Sequence, residues 1–305
     1  WGGDANHTGS SGSGGFTISK ASSTVTVTCP PTAQTYTGSA QTPCTAAATG
    51  VGMSPVDVTA SLVYANNTNV GTATANASWG GDANHTGSSG SGGFTITKAS
   101  QTITFGTIPD KSFGDLPFNV SALATSGLAV SFTATPASVC TASGSTVTIV
   151  GVGTCTITAS QGGNVNYYAA PQVARSFTVK PYTFIGFLSP LGPADTNTVY
   201  GPFSLRTAIP VKWQLKNAQG AFINNLSTVI TLTAAVNTDC KGLADEPPRI
   251  LYPSATGGTV LRYDTGTNQY IYNWDTSGVT PRGCYNLVLT LNDGTPGRTV
   301  IVQLK

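Results

Sequence analysis

An internal repeat constrains the fold of this chain more than any other feature. The segment Trp1–Ser22 recurs at 79–100, with Ser19 in place of Thr97 as the only change, so the period is 78 residues. A fixed period of this kind indicates tandem structural units, and 305 residues are too many for one hydrophobic core. The prediction is the closing part of one repeat, then a complete repeat and two further domains, with ranges 1–20, 21–98, 99–180 and 181–305.

Composition and apolar pattern together predict an all-β protein. Charged residues make up 9% of the chain and Glu246 is its one glutamate, so long helices lack their usual residues. Apolar residues alternate with Thr or Ser, as at Val25, Val27 and Cys29, which is typical of half-buried strands. Clusters such as "CPPTAQ" and "GDANHTGSSGSGG" separate these runs as turns do. We expect tandem Ig-like antiparallel β-sandwich domains.

The C-terminal domain and the joints follow the same rules. Strands are predicted at "IPVKWQL", "STVITLTAAV", "NQYIYNW", "CYNLVLTL" and "RTVIVQLK", and "NDGTPG" carries an Asp-Gly hairpin signal. At "FTITKASQTITF" one domain passes to the next without a flexible linker. We therefore expect short, stiff joints and a rod.

The six cysteines indicate an oxidising compartment. One pair falls in each complete predicted domain, and the chain has no CxxC motif that would favour a metal site or redox thiols. Disulfides fit this pattern better than free thiols, and they imply an extracellular or cell-surface protein. The predicted pairs are Cys29 with Cys44, Cys140 with Cys155, and Cys240 with Cys284.

Charge and hydropathy argue against several partners. The net charge of +2 comes from scattered residues with no basic run, so nucleic acid is not expected as a partner. No apolar run approaches the roughly 20 residues of a membrane helix, so the chain is not expected to be membrane-embedded. We expect that a leader was removed or lies upstream, and that no sorting signal or hydrophobic tail anchors the chain after its final strand.

Several motifs resemble repeats of bacterial surface proteins. "ASWGGDANHTGSSGSGGFTITKA" resembles the closing half of MBG-type repeats, and "QTITFGTIPDKSFGDLPFNVSA" with "SVCTASGSTVTIVGVGTCTITASQGGNVNYYAAPQVARSFTV" resembles an Ig-like repeat. "AIPVKWQLKNAQG", "YNWDTSG" and "CYNLVLTLNDG" resemble the PxKF domain, with Trp213 where the family name has Phe. These resemblances imply secreted, tandemly arrayed, adhesin-like proteins, and they supply no catalytic residues.

The histidines and the loop around them offer little chemistry. His7 and His85 occupy the same position of the repeated loop, and neither has a nucleophile and an orienting acid nearby in sequence. A structural role is therefore favoured over a catalytic base. The oxygen-bearing residues from Asp82 to Thr86 faintly resemble a calcium loop, but Gly93 stands where that loop needs Glu. An Asx turn explains the same residues, and no metal or cofactor is expected.

The C-terminal domain carries the remaining candidates. Tyr270, Tyr272 and Trp274 share one strand face, which would serve as a sugar-stacking platform if exposed. A core role is favoured, because the strand from Tyr285 to Leu291 offers an apolar face to pack on. The acidic residues are dispersed, which is a poor basis for a paired-carboxylate enzyme, and they are Asp239, Asp245, Glu246, Asp264, Asp275 and Asp293.

Two functional hypotheses follow. The first is a non-enzymatic extracellular structural protein, a stalk or a subunit of a surface fibre, whose partners are further repeats of the same chain or other copies of it. In its sharper form, a strand in residues 1–20 is exchanged head to tail between copies. The second is an adhesin that binds a glycan or a receptor through the C-terminal domain. The candidate assembly strand consists of Phe16, Thr17, Ile18, Ser19 and Lys20.

Overall fold

A computed structural model describes residues 1–192, 198–241, 246–252, 260–279 and 282–305. These residues group into two compact units, Trp1–Thr102 with Gly162–Ala170, and Ile103–Gln161 with Pro171–Lys305. The chain is all-β, with tandem Ig-like β-sandwiches. The four predicted domain ranges remain a prediction.

The first unit contains a short hairpin and one sandwich, here called the repeat sandwich. Its strands are β1 (Gly3–Asp4), β2 (His7–Thr8), β3 (Ser23–Thr28), β4 (Gln34–Thr35), β5 (Thr45–Gly50), β6 (Val56–Asp57), β7 (Val63–Ala65), β8 (Gly71–Gly81) and β9 (Thr86–Thr97), with a 3-10 turn at Thr59–Ser61. β1 pairs with β2, and the sandwich consists of sheets β3-β5-β6 and β4-β9-β8-β7. Small residues fill much of the core, where Ala48, Ala73 and Ala75 lie fully buried.

The Gly-Ser run of the repeat is a strand, not the turn that its composition predicts. Residues 86–93 belong to β9 and pair with β8. A Cβ at Gly90 would collide with the backbone carbonyl of Val25, and one at Gly92 would lie 2.9 Å from Val27 Cγ1. Glycine therefore lets β3 approach β9 across the sandwich more closely than a side chain would allow.

The second unit begins with the middle sandwich. Its strands are β10 (Ile103–Phe105), β11 (Lys111–Ser112), β12 (Phe118–Asn119), β13 (Ala122–Ala124), β14 (Ser131–Thr135), β15 (Cys140–Ser143), β16 (Thr146–Ile149), β17 (Gly153–Ser160) and β18 (Val173–Lys180). They form sheets β10-β13, β11-β18-β17-β14 and β12-β16-β15. The period of two predicted for this region is confirmed in β17, where Cys155, Ile157 and Ala159 are all fully buried.

The C-terminal sandwich completes the second unit. Its strands are β19 (Thr183–Leu188), β20 (Val199–Phe203), β21 (Ala208–Lys216), β22 (Val229–Asn237), β23 (Arg249–Tyr252), β24 (Arg262–Asp264), β25 (Gln269–Asp275), β26 (Gly283–Leu291) and β27 (Arg298–Leu304), with a 3-10 turn at Leu226–Thr228. Sheet β19-β21-β25-β24 faces sheet β20-β27-β26-β22-β23. The five strands predicted here are confirmed as β21, β22, β25, β26 and β27.

Each sandwich closes in the same way, although the sequences differ. The first strands β3, β10 and β19 pair antiparallel with β5, β13 and β21. The chain then crosses to another sheet, where β4, β11 and β20 pair in parallel with the last strands β9, β18 and β27. Pro30, Pro109 and Pro190 lie at these crossings, where the missing N–H helps to end the first pairing. The predicted antiparallel sandwiches therefore each include one parallel pair.

Candidate functional site

The three predicted disulfides are present and use all six cysteines, each of which lies in the described residues. Cys29 and Cys44 flank β4, with their Cα atoms 4.2 Å apart. The loop that they close contains β4, so the disulfide ties the chain just after β3 to the chain just before β5.

The parallel closure of the middle sandwich is reinforced by one carboxylate. Asp110 Oδ1 accepts a hydrogen bond from Thr178 N at 2.9 Å, and Asp110 Oδ2 lies 3.0 Å from Lys180 Nζ. The hydrogen bond from Thr178 and the ammonium of Lys180 lower the pKa of Asp110 below its ordinary value. Beyond β11, Phe113 N donates to Lys180 O at 2.9 Å. These contacts hold the start of the sandwich to its last strand.

Tyr182 forms the joint between the middle and C-terminal sandwiches, both of which lie in the second unit. It is buried, its ring packs on Phe113 with centroids 5.7 Å apart, and its N–H donates to Asp293 Oδ2 at 2.9 Å. Burial raises its pKa to about 12, and the charges of Asp293 and Asp115 add to the effect. A Cβ at Gly114, where φ is +85°, would lie 2.9 Å from the phenol oxygen. Asp293 belongs to the predicted Asp-Gly turn "NDGTPG", so this turn also stabilises the joint.

A second joint lies in the first unit, between the repeat sandwich and the loop 162–170. Asn166 Nδ2 donates to Asn69 Oδ1 at 3.0 Å, and Asn166 Oδ1 accepts from Val70 N at 3.0 Å. The rings of Tyr36 and Tyr167 meet edge to face with centroids 5.3 Å apart. The sequence pattern gives no signal for these side chains, because each pair joins residues far apart in the chain.

The loop between β8 and β9 is the predicted Asx turn. Asp82 Oδ1 accepts from Asn84 N and His85 N, both at 2.7 Å. His85 is buried, and its ring bonds Asp82 on one side and Val51 O, at 2.9 Å, on the other. The hydrogen bond to Val51 O, together with the one to Asp82, raises the pKa of His85. The hydrogen bond from Asn84 N is the largest cause that lowers the pKa of Asp82. Both groups serve the loop itself.

The aromatic stripe of β25 lies in the core of the C-terminal sandwich. Tyr270, Tyr272 and Trp274 are buried, and Tyr270 stacks on Trp213 with centroids 5.5 Å apart. Burial raises the pKa of Tyr270 to about 12. The exposed alternative, a sugar-stacking platform, is wrong for these residues, because β25 packs between β21 and β24 with this face against the opposite sheet. The favoured core role agrees with this burial.

The acidic residues of this sandwich stabilise turns. Asp264 accepts from Thr267 Oγ1 at 2.8 Å and from Gly266 N at 2.9 Å, and these bonds lower its pKa. Asp275 accepts from Ser277 N at 2.8 Å, which lowers its pKa in the same way. Asp245 lies outside the described residues. Within the described ranges, no three His, Cys, Asp or Glu side chains are placed to hold a metal ion.

Residues 9–20 lie outside any strand of this chain, and pairing of Phe16 to Lys20 with another copy stays a prediction. The hairpin of β1 and β2 is present, but Phe16 to Lys20 lie outside any strand, with Phe16 86% and Ile18 82% exposed. Their counterparts Phe94 and Ile96 are 4% and 1% exposed. The difference arises because β9 has β8 beside it, whereas no described strand pairs with residues 9–20. The assembly strand is thus an exposed apolar segment that lacks a sheet.

No protein-family model and no curated protein matches this chain. Among solved structures, it is 9% identical to the titin I-band fragment I67–I69, covering 95% of this chain and 97% of that one, with a TM-score of 0.31. Domains 4–9 of the surface layer protein SbsC match at 14% identity and a TM-score of 0.25. The alignment covers 86% of this chain and less than half, 42%, of that one.

An enzyme structure appears at a similar level. The endo-fucoidan hydrolase MfFcnA4 matches at 11% identity, over 81% of this chain and 37% of that chain, with a TM-score of 0.27. All three TM-scores are too low to carry an argument about function. The MBG-type and PxKF resemblances stay predictions. In the described part of the chain, no helix is long and apolar enough to cross a membrane.

Proposed function

We propose that this chain is a non-enzymatic structural segment of an extracellular or cell-surface protein, and that its sandwiches transmit tension along a tandem array. The parallel pairing of an early strand with the last strand carries the proposal in the middle and C-terminal sandwiches, where β11 pairs with β18 and β20 pairs with β27. Tension on the two ends of a sandwich pulls such strands in opposite directions along their length. All the bonds between them must then stretch together, which resists opening better than breaking them one at a time.

The disulfides and the joints support the same role. Each sandwich contains one disulfide, which limits how far it extends once its sheets separate. Tyr182 is buried at a joint and bonded to Asp293, so this connection is packed rather than flexible. The motif resemblance to MBG-type and PxKF domains supports a bacterial surface array. Glycan or receptor binding through the C-terminal domain loses its predicted platform and is not favoured.

Single-molecule pulling from the two ends tests the proposal. We expect sandwiches to unfold in separate steps, and Asp110→Ala to lower the unfolding force of one step because it removes the contacts to Thr178 and Lys180. Thr146→Ala is the matched control, since it also removes a hydrogen bond of the middle sandwich, to Asn119, but away from the β11–β18 pair. Equal effects of the two variants, or unfolding without measurable resistance, would contradict the proposal.

The compartment is tested separately by thiol titration. The denatured, non-reduced protein should contain no titratable thiols when it is taken from its native location. Six thiols under those conditions would contradict an extracellular protein, while the comparison of Asp110→Ala with Thr146→Ala would still test the mechanical role.

Assembly by strand exchange is the sharper form of this proposal. Residues 9–20 repeat the sequence of 87–98 apart from Ser19, and exposed Phe16 and Ile18 would be buried if they took the place of β9 beside β8 of another copy. Light scattering should then show assemblies of the full chain and monomers after deletion of residues 1–20. Monomeric full chain, or assemblies that persist after the deletion, would overturn strand exchange.

A further inference from the structure

The loop 80–86 has a structural twin later in the chain, at 162–168, and we call these two loops the clasps. Their sequences, "GGDANHT" and "GGNVNYY", share only three identical positions. In each, the second glycine has a positive φ, +83° at Gly81 and +76° at Gly163. Asn164 Oδ1 accepts from Asn166 N and Tyr167 N at 2.8 and 2.9 Å, as Asp82 does from its own two neighbours.

Both clasps hold a Lys-Ala pair by the same backbone contacts. Lys20 Nζ donates to Asp82 O at 2.6 Å, and Lys98 Nζ donates to Asn164 O at 2.7 Å. Ala21 pairs in parallel with His85 as Ala99 does with Tyr167. Ala21 N and Ala99 N each donate to the clasp, to Asn84 O at 2.8 Å and Asn166 O at 3.0 Å. The clasp is therefore a recurring element that fixes the chain where it enters a sandwich.

Among the described residues, the second clasp has a partner on its outer side and the first has none. The Asn166 side chain bonds Asn69 and Val70 of the repeat sandwich, and Tyr167 packs on Tyr36. The equivalent Asn84 is exposed, and its side chain makes no hydrogen bond to any described residue. The same side-chain amide is therefore present at both clasps, and at the second clasp it bonds the repeat sandwich.

The repeat sandwich contacts the second clasp through loops that lie next to Lys98, at the end of β9. Tyr36 N donates to Thr97 O at 2.9 Å, and Gly71 pairs with Ile96, so both contact loops lie beside the end of β9. Residues 8–19 repeat the sequence of β9 except at Ser19, and they lead into Lys20 as β9 leads into Lys98. A copy of the repeat that ends in residues 1–20 would bring its own contact loops to the first clasp.

We propose that the exposed face of the clasp at Asn84 is a docking site for a further copy of the 78-residue repeat, joined in the same chain through residues 1–20. The Asn84 amide bonds the counterparts of Asn69 and Val70 in that copy. This inference deepens the proposed function by naming the partner of one joint. The docking contact itself does not depend on the proposed function, and only its biological use rests on that function.

Hydrogen exchange on a chain with one added repeat tests the inference. Residues 21–78 are placed before Trp1 of the full chain, so that residues 1–20 complete the added copy. The added copy carries a substitution equivalent to Val63→Ile, at an exposed position of β7, so that its peptides differ in mass. We expect the counterpart of Val70 N to exchange as slowly as Val70 N itself.

Two matched variants locate the contact. Asn84→Ala should speed exchange at the Val70 counterpart of the added copy by about fivefold, the change that one hydrogen bond of ordinary net strength supports, and should leave Val70 unchanged. Asn166→Ala should do the reverse. An unprotected counterpart of Val70, no response to Asn84→Ala, or an added copy that does not fold would each overturn the inference. None of these readouts involves force, so failure of the mechanical proposal is distinguishable.

Discussion

Tyr36 and Tyr167 meet edge to face with their centroids 5.3 Å apart, and this contact joins the repeat sandwich to the loop between β17 and β18. Tyr167→Ala should weaken the joint by about 1 kcal/mol, the usual contribution of an aromatic pair beyond its buried area. Faster hydrogen exchange at Val70 N is the expected result. Tyr168→Ala is the control, because that neighbouring ring is exposed. Equal exchange in both variants would show that the ring contact does not hold the joint.

The disulfides should set the length released when each sandwich unfolds under force. Reduction should add about 50 Å of contour length for Cys29–Cys44 and for Cys140–Cys155, whose partners are 15 residues apart, given roughly 3.5 Å per extended residue. Cys240–Cys284, whose partners are 44 residues apart, should add about 150 Å. Force spectroscopy with and without reductant measures these steps, and equal lengths under both conditions would contradict the pairing.

Replacing Cys29 and Cys44 together by Ala should lower the free energy of unfolding of the repeat sandwich. A loop of 15 residues corresponds to about 3 kcal/mol in the chain-entropy model. Denaturant titration followed by Trp79 fluorescence measures the change. The C-terminal sandwich provides the internal control, since its own disulfide is untouched and its transition should not move.

Alkaline pH should destabilise the second unit through two buried phenols. Tyr182 and Tyr270 have a pKa of about 12 in the folded protein, against an ordinary value of 10.0. The unfolded chain therefore loses these protons first, so stability is unchanged below pH 10 and falls as pH rises towards 12. Equilibrium unfolding between pH 9 and 12 measures the slope. Tyr182→Phe should reduce it, and an unchanged slope in that variant would count against the joint as its source.

The first clasp should be most stable in mildly acidic to neutral solution. The raised pKa of His85 gives stability that is present below about pH 6.5 and lost as pH rises through the folded value. The lowered pKa of Asp82 gives stability that is present above 3.8 and lost as pH falls through its folded value. Asp82→Asn with His85→Tyr copies the second clasp at Asn164 and Tyr167, and should fold without this dependence. Hydrogen exchange of the backbone amides around Asn84, measured as a function of pH in both proteins, tests this prediction.

Alternation of apolar residues was enough to predict five strands of the C-terminal sandwich, because β21, β22, β25, β26 and β27 each bury one face or both. It did not predict β19, β20, β23 and β24. The same pattern failed for the Gly-Ser run of β9. Glycine is needed at position 90 because Val25 on the facing sheet leaves no room for a side chain there, and the local sequence does not show this contact. The joints were missed for a related reason. Asn166 and Asn69 are 97 residues apart, and nothing local in either segment specifies the other.

Two copies of one sequence separate what the chain encodes locally from what tertiary structure decides. Both Trp1–Thr8 and its counterpart form the turn in which an Asp bonds a His three residues on, at 2.9 Å for Asp4 and His7 and 3.0 Å for Asp82 and His85. That turn needs only neighbouring residues and a glycine with positive φ, so the sequence determines it wherever it occurs. The repeat period, the disulfide pairs and the all-β class were likewise predicted from the sequence alone.

The following residues behave differently in the two copies. Phe94 and Ile96 are buried in β9, whereas Phe16 and Ile18, within the same sequence, are exposed and outside any strand. A strand satisfies its backbone N–H and C=O groups only through a neighbouring strand, and β8 supplies that neighbour for one copy alone among the described residues. The sequence therefore determined which residues suit a strand, while the tertiary structure decided which of them form one.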